Sequence, residues 1–342
     1  MKRILIRKPG GHERMELVEE ADPRPGPGEV LVAVKAAGIN YADCMVRMGY
    51  YGAAKGLYPM TPGFEFAGEV AALGQGAAGF KPGDRVLGIT RFGAYTNRIC
   101  VSAERLWPCP KDWDFADCAG FPAVFMTAYY GLHRCARVEA GETVLVHSAA
   151  GGAGAAFVQL AVILGCKTVG VVGASHKADY VRAMGCERVI VRDEENLWRA
   201  AESAAPEGFD AIFDANGVKT LKEGYKRLAP GGRLVVYGFA EIMPRGKDAP
   251  GKLSLAWNYL NVPKFSPLDM TTGNRGVLGF NVVYLFDKND LAREAIGRML
   301  GWIAEGKIKK APVAQFPLDC AAQAHAALES GTTKGKLVLT SD

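Results

Sequence analysis

A glycine- and alanine-rich decapeptide, HSAAGGAGAA at residues 147–156, constrains the fold of this chain more than any other stretch. It directly follows the apolar run TVLVH and opens the helix-like run AAFVQLAVIL. Its glycines allow a sharp turn and a close approach of the backbone to a phosphate, to which the helix N-terminus offers free N–H groups. The spacing is A-x-G-x-x-G, with Ala149 at the usual place of the first glycine. In this strand-to-helix context the pattern predicts a dinucleotide site rather than a mere turn.

From about residue 123 the chain alternates between short apolar runs and helix-like stretches. The apolar runs are TVLVH (143–147), KTVGVV (167–172), RVIV (188–191), AIFDA (211–215), RLVVYG (233–238) and GVLGF (276–280). Six apolar strands joined by helices predict a parallel sheet that is covered on both faces. We therefore expect a doubly wound α/β domain over residues 123–282, with Gly165 and Gly185 just beyond the ends of two of its helices.

The N-terminal third of the chain follows a different pattern. It is rich in proline and glycine, and its short runs carry the valine, isoleucine and aromatic bias of strands. These runs lie at 28–39, 64–73, 83–89 and 94–101. They predict a rolled, antiparallel β domain over residues 1–122. The last stretch, 283–342, contains a helix and a closing strand, and we expect it to rejoin the β domain because the six-stranded sheet is complete by residue 282.

Composition and charge exclude several classes of function. The net charge of +5 is small for 342 residues and its lysines and arginines are scattered, which argues against a nucleic-acid partner. The start MKRILIRKPG lacks the apolar core of a signal peptide, and no stretch of about 18 uninterrupted apolar residues occurs. The eight cysteines form no C-x-x-C pair and are predicted to be buried, reduced thiols. We therefore expect a cytoplasmic protein.

The end of the second strand of the sheet predicts which dinucleotide binds. An NAD site carries an Asp or Glu there, which accepts the ribose 2′-hydroxyl. Here Ser175 and Lys177 follow the strand, and the first carboxylate is Asp179, inside the next helix. A hydroxyl and an ammonium suit a 2′-phosphate, and Arg192 at the end of the third strand is placed to reach the same pocket. A solvated role remains the alternative for Lys177, and NADPH is the predicted cofactor.

The β domain, the glycine-rich sheet and the returning C-terminal stretch together resemble the medium-chain dehydrogenase/reductase superfamily over essentially the whole chain. The resemblance implies a GroES-like β-rich catalytic domain (1–122 and 283–342) and a Rossmann NADPH-binding domain (123–282). Where zinc alcohol dehydrogenases of this superfamily carry metal ligands, the aligned residues here are Asn40, Phe64 and Ala123. Phenylalanine and alanine side chains cannot bind zinc, so we expect a zinc-free member.

The stretch GINYADCMVRMGYYG (38–52) is similar to the N-[FY]-x-D-x-x-x-R-x-G-x-Y signature of zeta-crystallin-like quinone oxidoreductases. The stretches NVPKFSPLDM and GYKRLAPGGRLVVYG bring the resemblance nearest to the synaptic-vesicle amine transport protein branch. The resemblance implies that Asn40 and Tyr51 lie beside the nicotinamide and are the catalytic residues. That family usually has a tyrosine at the position of Arg192. The predicted cofactor contacts are Asn40, Thr127, Ala150, Gly151, Gly152, Ala153, Gly154, Ser175, Lys177, Arg192, Asn216, Tyr237, Gly238, Phe280 and Lys334.

Structural roles remain open for the residues of this signature. Asn40 could cap the helix YADCMVRMG, with Asp43 at its third position and an Asp43–Arg47 pair one turn further on. Tyr51 could belong to a packed aromatic corner, and Phe64 is expected in the core.

The missing zinc ligands restrict the chemistry. Without a Lewis acid to polarise an alcohol or a simple ketone, acceptors that delocalise the incoming charge are favoured. The predicted function is therefore NADPH-dependent hydride transfer to quinones or α,β-unsaturated carbonyls, with Asn40 and Tyr51 as hydrogen-bond donors. The alternatives are an enoyl-thioester reductase and a lipid- or membrane-associated binding protein with weak or no catalysis.

A long insertion at 241–275 separates the fifth and sixth predicted strands. Its apolar and aromatic residues fit a packed helix and loop, a lid over an apolar substrate, or a surface that touches lipid or a partner. The run GVLGFNVVYL that follows (276–285) is long and apolar enough to be an edge strand through which two subunits pair. We therefore predict a homodimer.

Overall fold

The computed structural model describes residues 1–240 and 260–341, and within them the chain forms two compact units. The first unit comprises Met1–Met126, Val282–Gly306 and the chain from Lys310 onward. The second comprises Thr127–Asn281 and Lys307–Lys309. No helix among the described residues is long and apolar enough to cross a lipid bilayer.

A seven-stranded sheet organises the first unit. The strands of this unit are β1 (Lys2–Leu5), β2 (Glu16–Glu19), β3 (Glu29–Ile39), β4 (Glu65–Leu73), β5 (Arg85–Ile89), β6 (Arg98–Ser102), β7 (Leu106–Pro108), β14 (Val313–Pro317) and β15 (Lys336–Thr340). The sheet has the order β14-β15-β3-β4-β5-β7, with β6 also paired to β3, while β1 and β2 pair separately. All pairs are antiparallel except β14 with β15, so the predicted antiparallel β domain is confirmed.

The core of the first unit lies against the central strand β3. Every second residue of β3 from Val30 to Ala36 is buried, because successive side chains of a strand point to opposite faces. The last strand of the chain, β15, pairs with the end of β3, and Leu337 lies opposite Ile39. The helices of this part of the chain are α1 (Tyr41–Met48), α2 (Phe115–Ala119), α3 (Pro122–Tyr129), α9 (Asn289–Ala304) and α10 (Ala321–Glu329).

The second unit is the predicted doubly wound parallel sheet. Its strands are β8 (Thr143–Val146), β9 (Lys167–Val172), β10 (Arg188–Val191), β11 (Phe209–Asp214), β12 (Leu228–Val236) and β13 (Gly276–Gly279). They are all parallel and lie in the order β10-β9-β8-β11-β12-β13. The helices are α4 (Gly152–Ile163), α5 (Ala178–Arg182), α6 (Leu197–Ala204), α7 (Val218–Lys226) and α8 (Pro267–Gly273), together with a π-helical turn at Tyr130–Ala136.

The strand order places the glycine-rich loop where a ligand site is expected. The chain runs from β8 outward to β9 and β10 on one side, and returns to β11 on the other side of β8. Ligands of such sheets bind at this switch point, outside the carboxyl ends of the strands. Gly165 and Gly185 follow α4 and α5 with φ of 79° and 91°, as predicted for residues that end helices in the left-handed conformation.

Some sequence expectations were wrong in detail. The predicted edge strand at 276–285 stops at Gly279, and Val282–Leu285 forms a 3-10 turn that belongs to the first unit. The physical reason is burial, since Val283 and Phe286 are each 1% exposed and so lie in the core of that unit. Of the insertion predicted at 241–275, residues 241–259 lie outside the described residues.

The cysteine prediction holds only in part. All eight cysteines are free. Four of them, Cys44, Cys118, Cys166 and Cys186, are buried as predicted, whereas the other four are only partly buried.

Candidate functional site

The loop between β8 and α4 has the geometry of a phosphate cradle. Ser148 adopts a positive φ of 53°, and α4 begins four residues later at Gly152. A Cβ on Gly154 would lie 2.7 Å from the carbonyl carbon of Ser148, far inside van der Waals contact. Glycine is therefore required at 154, and it lets the helix N-terminus start close to the loop backbone. Of the other predicted loop contacts, Ala150 lies in the turn and Ala153 in the first turn of α4.

Ala149 replaces the first glycine of the usual fingerprint because the neighbouring strand makes room for its methyl group. Gly170 of β9 lies opposite, and a Cβ there would be 3.1 Å from the Cβ of Ala149. Ala149 is fully buried, and its N–H donates to the carbonyl oxygen of Val171 (2.9 Å). The turn therefore keeps its register without a glycine at this position.

The carboxyl ends of β8 and β11 support the loop. Ser148 Oγ donates to Asn216 Oδ1 (2.8 Å), and the N–H of Asn216 donates to Asp214 (2.6 Å). The imidazole of His147 and the carboxylate of Asp214 are both fully buried, with Nε2 and Oδ2 3.8 Å apart. Asn216, a predicted cofactor contact, is thus tied to the loop by its side chain.

Two further predicted contacts, Tyr237 and Phe280, lie together beyond the end of β12. Their rings are nearly parallel, with centroids 6.3 Å apart, and Phe157 of α4 packs on Tyr237 at 4.7 Å. Burial and the neighbouring Asp214 raise the pKa of the Tyr237 phenol, so that it keeps its proton. Gly238 follows, and a Cβ there would lie 3.2 Å from that of Ala215.

Two cationic side chains converge at the end of β9. Burial, and then the nearby Arg192 guanidinium, lower the pKa of Lys177. Arg192 reaches back to the strand end, where its Nη2 is 3.5 Å from the position of a Cβ on Gly173. Asp179 is on α5, is 92% exposed and pairs with Arg182 (2.7 Å). An anion beside Lys177 and Arg192 would offset their repulsion, and with the exposed Ser175 these residues fit a 2′-phosphate.

In the first unit, Asn40 is at the centre of a buried hydrogen-bond network. Its N–H donates to Asp43 Oδ2 (2.8 Å), while its side chain bonds to two other residues. Asn40 Nδ2 donates to Glu65 Oε1 (2.8 Å), and Asn40 Oδ1 accepts from Lys336 Nζ (2.6 Å). Asn40 therefore precedes α1 as predicted, but its amide is committed to Glu65 and Lys336.

The three positions that align with zinc ligands do not form a zinc donor set. The N–H of Ala123 donates to Glu65 Oε2 (2.7 Å), so its backbone is engaged as a donor. Phe64 is 3% exposed and offers only a hydrocarbon ring, which confirms its expected place in the core. An amide, a phenyl ring and a methyl group cannot supply the nitrogen, sulfur or carboxylate ligands that zinc requires.

An aromatic cluster surrounds Phe64. The rings of Tyr51, Phe92 and Phe286 lie with centroids 5.8, 5.4 and 6.5 Å from that of Phe64. Tyr51 precedes a 3-10 turn at Gly52–Ala54 and is partly buried. Both of its proposed roles, packing and catalysis, are compatible with this position.

A second buried polar cluster lies between α1 and α10. Donor atoms of Cys44, His325 and Glu329 lie within 4.8 Å of one another and form the one group of possible metal ligands among residues 1–240 and 260–341. Glu329, however, already pairs with the buried Arg47 and with His12 Nε2 (2.9 Å). A guanidinium at this place opposes a divalent cation. The predicted Asp43–Arg47 pair is wrong, since Glu329 is the partner of Arg47.

Sequence reasoning missed Glu65 and Lys336. Glu65 is fully buried, Lys336 is 3% exposed, and their charged atoms are 2.7 Å apart. The predicted contact Lys334 is two residues away and exposed, and Thr127 lies partly buried in α3. The signal available in the sequence was a charged residue inside each of two apolar strands, GFEFAG and GKLVL, since lone charges are rarely buried without a partner.

Comparisons with known proteins agree with this architecture. The alcohol dehydrogenase GroES-like domain family matches residues 26–111, and the zinc-binding dehydrogenase family matches residues 184–339. The human synaptic vesicle membrane protein VAT-1 homolog is 31% identical over 96% of this chain and 84% of its own length. The chain belongs to the zinc-independent quinone oxidoreductase family of medium-chain dehydrogenases/reductases, in the VAT-1 branch.

Solved structures extend the agreement across both units of this oxidoreductase. The Escherichia coli quinone oxidoreductase, crystallised with NADPH, has a TM-score of 0.86 at 28% identity and covers 100% of both chains. The CurK enoyl reductase has a TM-score of 0.84 at 22% identity, covering 99% of this chain and 98% of its own. The second likeness shows a shared fold only.

Proposed function

We propose that this oxidoreductase uses NADPH to transfer hydride to quinones or α,β-unsaturated carbonyls without zinc. The observation that carries the proposal is the pairing of a glycine cradle with Lys177 and Arg192, in a chain whose zinc-ligand positions offer no ligand set. Bound NADPH supplies the hydride. The residues of the chain supply the rest: the loop N–H groups and the two cations hold the phosphates.

The acceptor needs hydrogen-bond donors in place of a metal. Hydride transfer to a quinone or an enone leaves negative charge on an oxygen, which fixed N–H and O–H groups stabilise. Asn40 and Tyr51 are the proposed donors, since the Asn40 amide is fixed by two buried partners and the Tyr51 ring by Phe64. The aromatic rings around Phe64 offer an apolar wall to a planar acceptor.

The test is the initial rate of NADPH and NADH oxidation with a naphthoquinone, a 2-enal and crotonyl-CoA as acceptors. We expect turnover of the quinone or the enal, preference for NADPH, and losses in Asn40→Ala and Tyr51→Phe. Turnover restricted to crotonyl-CoA would instead establish an enoyl-thioester reductase, the alternative that the sequence leaves open.

Lipid binding is the second candidate function, and one observation favours it. Leu260 and Leu268, in the described part of the insertion, are 77% and 73% exposed. A contiguous exposed apolar patch marks a surface that meets lipid or protein, and these two are the large apolar side chains that the described part of the insertion exposes. Co-sedimentation with anionic liposomes, compared between the wild type and Leu260→Ser/Leu268→Ser, tests this function. Equal sedimentation of the two proteins, or none, argues against it.

We also propose a cytoplasmic homodimer. The strand β13 is the last of its sheet and has β12 on one side, so its other edge is available for pairing within the part of the chain described. Eight free cysteines suit a reducing compartment. Light scattering of the purified protein should give twice the chain mass of 36.6 kDa, and a monomeric mass refutes the dimer. Eight titratable thiols after non-reducing purification are expected from the proposed compartment.

A further inference from the structure

The ammonium of Lys336 is fully saturated by three buried acceptors. It donates to the carbonyl oxygen of Ile39 (2.8 Å), to Asn40 Oδ1 (2.6 Å) and to Glu65 Oε1 (2.7 Å). A lysine ammonium has three donors and no acceptor, so no proton of this group is left for a ligand. Lys336 therefore acts on its neighbours and does not bind substrate itself.

The carboxylate of Glu65 completes the network. Oε1 accepts from Asn40 Nδ2 as well as from Lys336, and Oε2 accepts from the N–H of Ala123 (2.7 Å). Lys336 and Glu65 together decide which way the Asn40 amide faces. The Lys336 ammonium can only donate, so it requires the amide oxygen, whereas the Glu65 carboxylate can only accept, so it requires the amide nitrogen.

Counting donors shows what the network leaves over. The amide nitrogen of Asn40 has two protons, of which Glu65 takes one, and the backbone N–H of Asn40 is taken by Asp43. One N–H of Asn40 Nδ2 is thus the remaining donor of these three side chains. It is held in one orientation by two charged groups that solvent does not reach.

The surrounding backbone is shaped to fit this pair. A Cβ on Gly38 would lie 2.5 Å from Glu65 Oε1, and a Cβ on Gly120 would lie 2.8 Å from Lys336 Cγ. Neither glycine has a positive φ, so close packing is what requires them: Gly38 lies against the Ala119 carbonyl oxygen and Glu65, and Gly120 lies against Lys336. Asp43 connects the start of α1 to the residues that precede β4, since its carboxylate accepts from the N–H groups of Asn40 and Gly63 (2.8 Å each).

We propose that Glu65 and Lys336 are positioning residues that hold the Asn40 carboxamide in one orientation, so that its remaining N–H serves the acceptor oxygen. This inference rests on the proposed function. It assigns the buried ion pair a role beyond stability, in which each charge selects one end of the amide. Loss of the pair frees the amide to rotate, and the donor is then no longer preorganised.

A double-mutant cycle tests the proposal. Glu65→Gln/Lys336→Met removes both charges, so that neither is left buried without its partner. We expect this variant to lower kcat at least about tenfold, towards the roughly 100-fold loss typical of a missing donor and expected for Asn40→Ala, with the dissociation constant for NADPH unchanged. In the Asn40→Ala background the same two changes should lower kcat no further. Independent losses that multiply would overturn the proposal, as would wild-type kcat in the charge-neutral variant.

Two additional variants separate positioning from folding. Lys81→Met is the matched control, because that lysine is exposed, belongs to the same unit and lies outside the predicted contacts, and it should retain the wild-type kcat and KM. Gly120→Ala keeps both charges and displaces Lys336 by contact with its Cγ, so it should also lower kcat. Wild-type kcat in a folded Gly120→Ala protein would count against the positioning role.

A measurement without turnover distinguishes failure of this inference from failure of the proposed function. In protein with ¹⁵N-labelled asparagine, the Asn40 side chain is assigned by its absence in Asn40→Ala. One of its amide protons should exchange slowly with solvent, and should lose that protection in Glu65→Gln/Lys336→Met. An unprotected amide in the wild type refutes the inference by itself. A protected amide together with no turnover of any acceptor refutes the proposed function, and with it the catalytic use of the network.

Discussion

The glycine cradle gives the sharpest prediction, for the substitution Gly154→Ala. The new Cβ would lie 2.7 Å from the Ser148 carbonyl carbon, whereas ordinary contact begins near 3.4 Å, so the loop must move by at least 0.7 Å. Ser148 already has a positive φ of 53° and has little freedom to adapt. Forced overpacking of this kind costs about 1–3 kcal/mol of unfolding free energy. The displaced loop would also lose one or two charge-assisted hydrogen bonds to phosphate, each worth about 1.5–3 kcal/mol.

We therefore expect Gly154→Ala to bind NADPH about 10- to 20,000-fold more weakly, and to unfold at lower urea concentration without cofactor. Gly224→Ala in α7 is the matched control, since its Cβ would lie 3.7 Å from Ile212, an ordinary contact, and the residue lies outside the predicted cofactor contacts. Fluorescence titration with NADPH and urea unfolding of the cofactor-free proteins measure both effects. The reasoning is refuted if Gly154→Ala matches Gly224→Ala in both affinity and stability.

Three further predictions follow from the charged groups. Lys177→Asp should weaken NADPH binding about 10- to 100-fold and change NADH binding little. The control Lys222→Asp, on the exposed face of α7, should change the binding of neither nucleotide. Equal losses for both nucleotides in Lys177→Asp would contradict the 2′-phosphate assignment. Burial raises the pKa of Asp43 from 3.8 to about 7, so the folded state favours its protonated form and the free energy of unfolding should fall as pH rises from about 4 to 7. Urea unfolding should show a smaller decline over that range in Asp43→Asn, and an unchanged slope would argue against the shift. Arg47→Met leaves Glu329 without its buried partner and should cost about 3–5 kcal/mol of unfolding free energy. The double variant Arg47→Met/Glu329→Gln should lose less, and equal losses in the two variants would show that the ion pair is not the cause.

Local patterns were sufficient for the second unit. The strands predicted at 167–172 and 188–191 match β9 and β10 at both ends. Their apolar runs are continuous because a parallel sheet is covered on both faces, and the glycines that follow the helices mark where each helix ends. The glycine-rich loop between β8 and α4 was equally predictable, since the sharp turn and the helix start both depend on neighbouring residues.

The network around Asn40 was determined by tertiary structure alone. Lys336 and Asn40 are 296 residues apart, and no local pattern connects them. They meet because β15 pairs with the end of β3, with Leu337 opposite Ile39, and a shift of this register by one residue would turn Lys336 to the other face of the sheet. The sequence by itself determined the fold class, the glycine-rich loop between β8 and α4, and the residues Asn40, Phe64 and Ala123 at the three positions that align with zinc ligands. Only the tertiary structure decided that a buried carboxylate and a buried ammonium share the Asn40 amide, because such charges remain inside a protein only where distant segments bring their partners together.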